Sequence, residues 1–257
     1  MRILLIRHGD PDYVNDTLTE KGRHEAALLA KRAVSMNMGE CYKSPLGRAK
    51  DTATPCLEVT GKTAEILDWL QEFPAQVDLN KNPELEKAYP DVKKEGGYFL
   101  PRIAWDMVPG YWTEHEAYMD KNAWRETEVA KNSDLVEVYD HVIEEFDRFL
   151  AEHGYVREGA HYRVEKESDE TVTFFCHFGI SCVLLSHLWN VSPFVLWHCL
   201  ALAPTSVTEV VTEEREQGTA YFRGLKVGDI SHLYAGGEEP SFAARFCEIY
   251  SNKEQRH

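Results

Sequence analysis

Apolar positions along the chain fall into short blocks separated by polar stretches, and the blocks change period in a regular way. Ile3-Leu4-Leu5-Ile6 is a continuous apolar run of strand length that stops abruptly at Arg7-His8-Gly9. After a polar loop, Thr19 is placed as N-cap of a helix whose apolar face is Ala26, Leu29, Ala30 and Ala33, at i, i+3, i+4, i+7 spacing. A short strand around Cys41-Tyr42 ends at Lys43-Ser44-Pro45. Ser44 or Pro45 then opens a second helix carrying Arg48, Ala49, Thr52 and Ala53. Another short strand is expected over 64–67.

From Phe73 to about Ser133 the rhythm breaks. Five of the eleven prolines lie between Pro74 and Pro109, and eight aromatic residues lie between Tyr89 and Trp124. A structureless loop that long is unusual inside a compact domain, so the segment 73–133 reads as an irregular, partly helical cap inserted into a single domain of residues 1–257. The alternation then resumes. Leu135, Val138, Tyr139, Val142, Phe146 and Phe149 form one face of an amphipathic helix, followed by a strand over 171–176 and a helix over 180–189. Two further strands, 207–212 and 219–223, read as an antiparallel hairpin at a sheet edge. Strand alternating with helix predicts an α/β fold with a mostly parallel central sheet and helices on both faces, a three-layer α/β/α sandwich.

Composition narrows the function classes. With 43% hydrophobic and 28% charged residues and no low-complexity tract, the chain should fold around an enzyme-sized core. A formal charge of −15 argues against a nucleic-acid or anionic-membrane partner, though local arginines can still reverse the field inside a cleft. Six cysteines (Cys41, Cys56, Cys176, Cys182, Cys199 and Cys247) show neither a CxxC pair nor zinc spacing, which predicts reduced thiols in the cytoplasm. No apolar stretch is long enough to span a bilayer, and no signal peptide is expected.

The chemistry is concentrated at strand ends. Arg7 and His8 would point to opposite faces of a strand, and converge only where Gly9 lets the chain turn. A second apolar run, Thr171 to Cys176, also ends in a histidine, His177, followed by Phe178 and Gly179. Arg48 lies near a helix N-terminus, where backbone amides also favour anions. Two arginines and two histidines at such corners make a pocket for a tetrahedral dianion, because the guanidinium fork matches phosphate oxygens.

Taken in order, Arg7-His8-Gly9, Leu18-Thr19-x-x-Gly22, Ser44-Pro45-Leu46-x-Arg48-Ala49-x-x-Thr52-Ala53 and the later His177 resemble the histidine phosphatase superfamily, with its phosphoglycerate-mutase-like fold, over roughly two-thirds of the chain. The resemblance implies that His8 is the nucleophile, forming a phosphohistidine that water cleaves, and that Arg7, Arg48 and His177 hold the phosphoryl oxygens. It implies no metal and no cofactor. The pKa values of His8 and His177 are expected to be pushed apart, with His8 neutral and His177 protonated. The Leu70-x-Glu72 pattern resembles the family's acid segment and makes Glu72 the general acid, with Asp68 or Asp106 as rivals because Phe73-Pro74 departs from the usual continuation. Gly9, Asn15 and the backbone of Phe178 are expected to contact substrate. Asp10-Pro11 departs from the family's usual residues after Gly9.

The expected activity is hydrolysis of a small phosphorylated metabolite. Alternatives are a phosphomutase, a catalytically silent phosphate-binding module, and a metal-dependent hydrolase using His8, Asp10, Asp12 and His177. Arg102, Trp105, Asp106, Tyr111 and Trp112 are candidate specificity contacts in the cap. A homo-oligomer is left open.

Overall fold

A computed structural model describes residues 1–89, 92–241 and residue 251. Its centre is an eight-stranded sheet. The strands are β1 (Arg2–Arg7), β2 (Glu40–Lys43), β3 (Ala64–Ile66), β4 (Tyr155–Glu158), β5 (His161–Val164), β6 (Thr171–Cys176), β7 (Val207–Glu216) and β8 (Thr219–Asp229). They lie in the order β4-β5-β8-β7-β1-β6-β2-β3. The run β1, β6, β2, β3 is parallel, whereas β7, β8, β5 and β4 are joined by antiparallel pairs.

β1 is buried on both faces, as its unbroken apolar run requires. Ile3 and Leu5 enter one core, and Leu4 and Ile6 enter the other. Truncating any of these four to Ala would cost about 2–5 kcal/mol. The smaller core is closed by α1 (Glu20–Ala33) and α2 (Gly47–Thr60), through Leu29, Ala30 and Ala33 of the first and Ala53, Cys56 and Leu57 of the second. The larger core is closed by α3 (Leu135–Glu152), α4 (Phe178–Trp189) and α5 (Pro193–Cys199). A further short helix, α6, spans Ser231–Gly236. The result is the α/β/α layering expected from the sequence. None of the helices among the described residues is long and apolar enough to cross a membrane.

The described residues of 73–133 hold no large element. They form two-residue strand pairs (Gln76–Val77 with Arg102–Ile103, Lys94–Glu95 with Tyr98–Phe99), 3-10 turns and two four-residue helices. Phe73, Leu85, Tyr89, Trp105, Trp112, Tyr118 and Trp124 are nonetheless buried, in the same cluster as Ile3, Leu5 and Phe174. Most of the segment's aromatics therefore pack against the main core. Tyr111 lies against His115, and Trp112 is stacked on His198 with ring centroids 4.8 Å apart.

Three local expectations are corrected. The 207–212 and 219–223 strands do pair antiparallel, but they run on to Glu216 and Asp229 and sit inside the sheet. The edge on that side is the unforeseen pair β5 and β4. α4 starts at Phe178, with His177 as its N-cap. α2 starts at Gly47 after Leu46; the Ser44 Oγ accepts the Leu46 N–H at 3.2 Å just before it and lies 2.8 Å from His177 Nε2. Cys247 and His257 lie outside the described residues.

Candidate active site

Two parallel neighbours deliver the two histidines. Arg7 is in register with Cys176, so His8 and His177 follow side by side at the carboxyl ends of β1 and β6. Open α/β sheets place their ligands at this end. The ring centroids are 5.0 Å apart and both rings are buried.

The His8 corner is set by close packing. Gly9 is not in the left-handed region, so it is not needed for a positive φ. A Cβ at Gly9 would lie 2.8 Å from the carbonyl oxygen of Gly22, and a Cβ at Gly22 would overlap Asp10. The two glycines let the loop after β1 touch the first turn of α1. The Gly9 N–H donates to Thr52 Oγ1 at 2.9 Å, which ties the corner to α2. On the other side the Thr205 N–H donates to His8 O at 3.2 Å, and Thr205 itself is held at φ +58°.

His8 Nδ1 is 2.7 Å from Gly9 O. A carbonyl oxygen only accepts, so Nδ1 carries the hydrogen and the lone pair of a neutral ring lies on Nε2. Burial, with Arg7 and then Arg48 nearby, drives the His8 pKa well below 6.5 against the pull of the Gly9 hydrogen bond. His177 is held by its other nitrogen, with Nε2 2.8 Å from Ser44 Oγ. Its Nδ1 is buried and has no partner among the described residues. Burial, then His8, Arg48 and Arg7, also push the His177 pKa well down. Both shifts run downward, so the protonated His177 of the expectation is not what its surroundings favour. Both rings are buried near the Arg7 and Arg48 charges, and each resists a further positive charge. A phosphate dianion would reverse that field.

Arg7 and Arg48 are buried, and each has an Nε without a partner among the described residues. Arg7 Nη1 donates to Leu202 O, and its guanidinium lies 5.9 Å from the centre of the Phe178 ring. Arg48 sits on the first turn of α2. Its Nη1 donates to Asp16 Oδ1 at 2.7 Å, and the Tyr13 ring lies 5.5 Å from its guanidinium.

Glu72 reaches the start of α4. Its Oε1 accepts the N–H of Phe73 at 2.9 Å and of Ile180 at 3.2 Å. Burial raises its pKa against these bonds and against the Arg7 and Arg48 charges, which favours a protonated carboxyl. A Cβ at Gly179 would lie 2.7 Å from Glu72 Oε1 and 3.1 Å from Trp105 Cζ2, so a larger residue there would push on the Glu72 carboxyl. The rival acids are placed differently. Asp68 is exposed, and Asp106 is paired with Arg102.

Other expected contacts are not brought in. Asn15 is exposed, and its amide donates to Asp12 Oδ2 at 2.7 Å. Asp10 accepts from the hydroxyls of Thr19 and Ser241, and Asp12 caps its own turn at Val14 and Asn15. The carboxylates needed for a His-x-Asp-x-Asp metal site are therefore committed elsewhere. The sequence reading gave Ser44 no role beyond opening the helix and gave Thr52 none, although both stand in the quoted motif. It missed Asp16 and the 202–205 turn, which have no local signal.

Comparison with known proteins supports the same fold. The sequence pattern of the histidine phosphatase superfamily (branch 1) matches residues 3–98 of this chain. A probable phosphatase of Schizosaccharomyces pombe (C1687.21) is 24% identical over 247 residues, covering 91% of this chain and 95% of that one. Two solved structures share the fold. The mycobacterial glucosyl-3-phosphoglycerate phosphatase has a TM-score of 0.52 at 16% identity, covering 88% of this chain and 98% of its own. The phosphoserine phosphatase of Entamoeba histolytica has a TM-score of 0.53 at 16% identity, with 90% and 98% covered.

Proposed function

We propose that this chain is a phosphomonoesterase that works through a phosphohistidine on His8 and acts on a small phosphorylated metabolite. The observation that carries the reading is the Nδ1 contact with Gly9 O, which leaves Nε2 of a neutral His8 as the free nucleophile. In the first step Nε2 attacks phosphorus and the bond to the leaving oxygen breaks. The Glu72 carboxyl gives its proton to that oxygen. In the second step water attacks the phosphohistidine, the P–N bond breaks, and the Glu72 carboxylate takes the water's proton.

Arg7, Arg48 and His177 Nδ1 supply donors to the phosphoryl oxygens, where charge grows in the in-line transition state. If the Ser44 hydroxyl donates to His177 Nε2, the hydrogen of the neutral ring lies on Nδ1, where it can serve a phosphoryl oxygen. The scheme needs no metal. The phosphatases among the similar proteins support the reaction type, and the 73–133 segment is proposed as the cap that selects the metabolite. A reducing cytoplasm suits the free thiols of Cys41, Cys56, Cys176, Cys182 and Cys199.

The test is phosphate release from an aryl phosphate in EDTA by wild type and by His8→Ala. Activity lost in a folded variant supports the reading. Activity that survives His8→Ala, or that disappears in EDTA, sinks it.

A further inference from the structure

The loop that leaves the nucleophile's corner closes back on the N-terminus of α2 with the Asp16 carboxylate. Its Oδ2 accepts the Gly47 N–H at 2.6 Å, and its Oδ1 accepts from Arg48 Nη1 at 2.7 Å. α2 has Leu46 at its N-cap, which offers no side-chain acceptor, so Asp16 serves as the cap from a distant part of the chain. The backbone is committed to the same contact. Asp16 is held at φ +47°, a left-handed conformation that costs a non-glycine residue energy, and a Cβ at Gly47 would overlap the Asp16 carbonyl. Beside it, Thr17 Oγ1 donates to Asp51 of α2, and Tyr13 lies over the Arg48 guanidinium.

We propose that Asp16 is a positioning residue for Arg48: it anchors Nη1 so that the other edge of the guanidinium, Nε and Nη2, is presented to the phosphoryl group. The unpartnered Nε of Arg48, buried with the rest of its side chain, is the observation that points to a ligand on that edge. A freely rotating arginine would have to be ordered on binding, whereas a pinned fork is already aimed. Burial works against the Asp16 carboxylate, but the Gly47 and Arg48 hydrogen bonds outweigh it and hold the group ionised. The inference rests on the phosphatase reading for its purpose, but not for its test.

That test is calorimetric titration of inorganic phosphate into wild type, Asp16→Asn, Asp16→Ala, Arg48→Ala and the Asp16→Ala/Arg48→Ala double variant. Asp16→Asn keeps an acceptor for the Gly47 N–H, and so guards against a folding failure. Both Asp16 variants should weaken phosphate binding roughly tenfold, and Asp16→Ala should add nothing once Arg48 is gone. Unchanged affinity overturns the proposal. Tighter binding also overturns it, and would make the carboxylate a competitor of phosphate. An equal loss in the Arg48→Ala background overturns it too, because a general structural role would give that result. Wild type that binds no phosphate sinks both readings. Phosphate binding without His8-dependent hydrolysis would sink the phosphatase and leave the Asp16 assignment standing.

Discussion

His8 and His177 follow adjacent parallel strands, in register and both buried, yet they are held through opposite nitrogens. A backbone carbonyl fixes His8 at Nδ1 and frees Nε2 as a lone pair. A serine hydroxyl meets His177 at Nε2 and leaves Nδ1 as the buried, unpartnered atom. A carbonyl can only accept, so the His8 tautomer is dictated. A hydroxyl can donate or accept, so His177 can change its proton without losing its partner. The hydrogen-bonding character of a neighbour thus sets two residues of one type apart, and under the proposed mechanism lets them divide the work.

The largest test of that division is a pair of truncations. His8→Ala should lower kcat by roughly 10⁴-fold or more, the scale of losing a covalent nucleophile. His177→Ala should lose only about 10²- to 10³-fold, the scale of one transition-state donor, and should still form a phosphoenzyme in rapid-quench labelling. Equal losses, or label absent from the His177 variant, would break the comparison. Next in size, Glu72→Gln should cost roughly 10²-fold on an alkyl phosphate and little on an aryl phosphate whose leaving oxygen needs no proton. Because the Glu72 pKa is raised and the acid acts protonated, wild-type activity on the alkyl ester should fall as pH rises past that pKa. The Gln variant should lack this limb in a kcat–pH profile.

The smallest effect is on stability. Both imidazoles resist protonation when folded, while in the unfolded chain they titrate near 6.5. Below about that pH the unfolded state binds more protons, so folding stability falls as pH falls. His8→Gln removes one such penalty. Its Tm relative to wild type should rise by a few degrees between pH 7.5 and pH 5 in a melting series. A gap that does not change with pH would mean that His8 is not depressed.

What could be read from the sequence followed the origin of each signal. β1 and β6 were visible because burial on both faces writes an unbroken apolar run. α1 was visible because Thr19 caps it, its Oγ1 accepting the Gly22 N–H at 3.0 Å. β4 and β5 were missed because they are four-residue strands with polar side chains around the buried Tyr155 and Tyr162, too short for alternation to register. The unforeseen extension of β7, residues 213–216, is charged, as in the Glu213–Arg223 pair, and is specified by backbone pairing with no apolar pattern. Arg7, His8, Arg48, His177 and Glu72 could be gathered beforehand because they sit at the ends of elements or next to them. Asn15 and Asp16 could not, because a loop's side chains are aimed by its contacts, here Asp12 and the start of α2.

The sheet order also bears on the sequence of assembly. β1 leads directly into His8, but its neighbours among the described residues are β6 and β7, which come after the segment 73–133 and after α3. During synthesis, β1 must wait, apolar on both faces, until most of the chain has emerged. The non-local pairing of Arg2 with Thr171 makes this a slow step, during which β1 is exposed to wrong partners. Arg7, Arg48 and Glu72 are all made early, yet the pocket they share cannot exist before β6 arrives with His177.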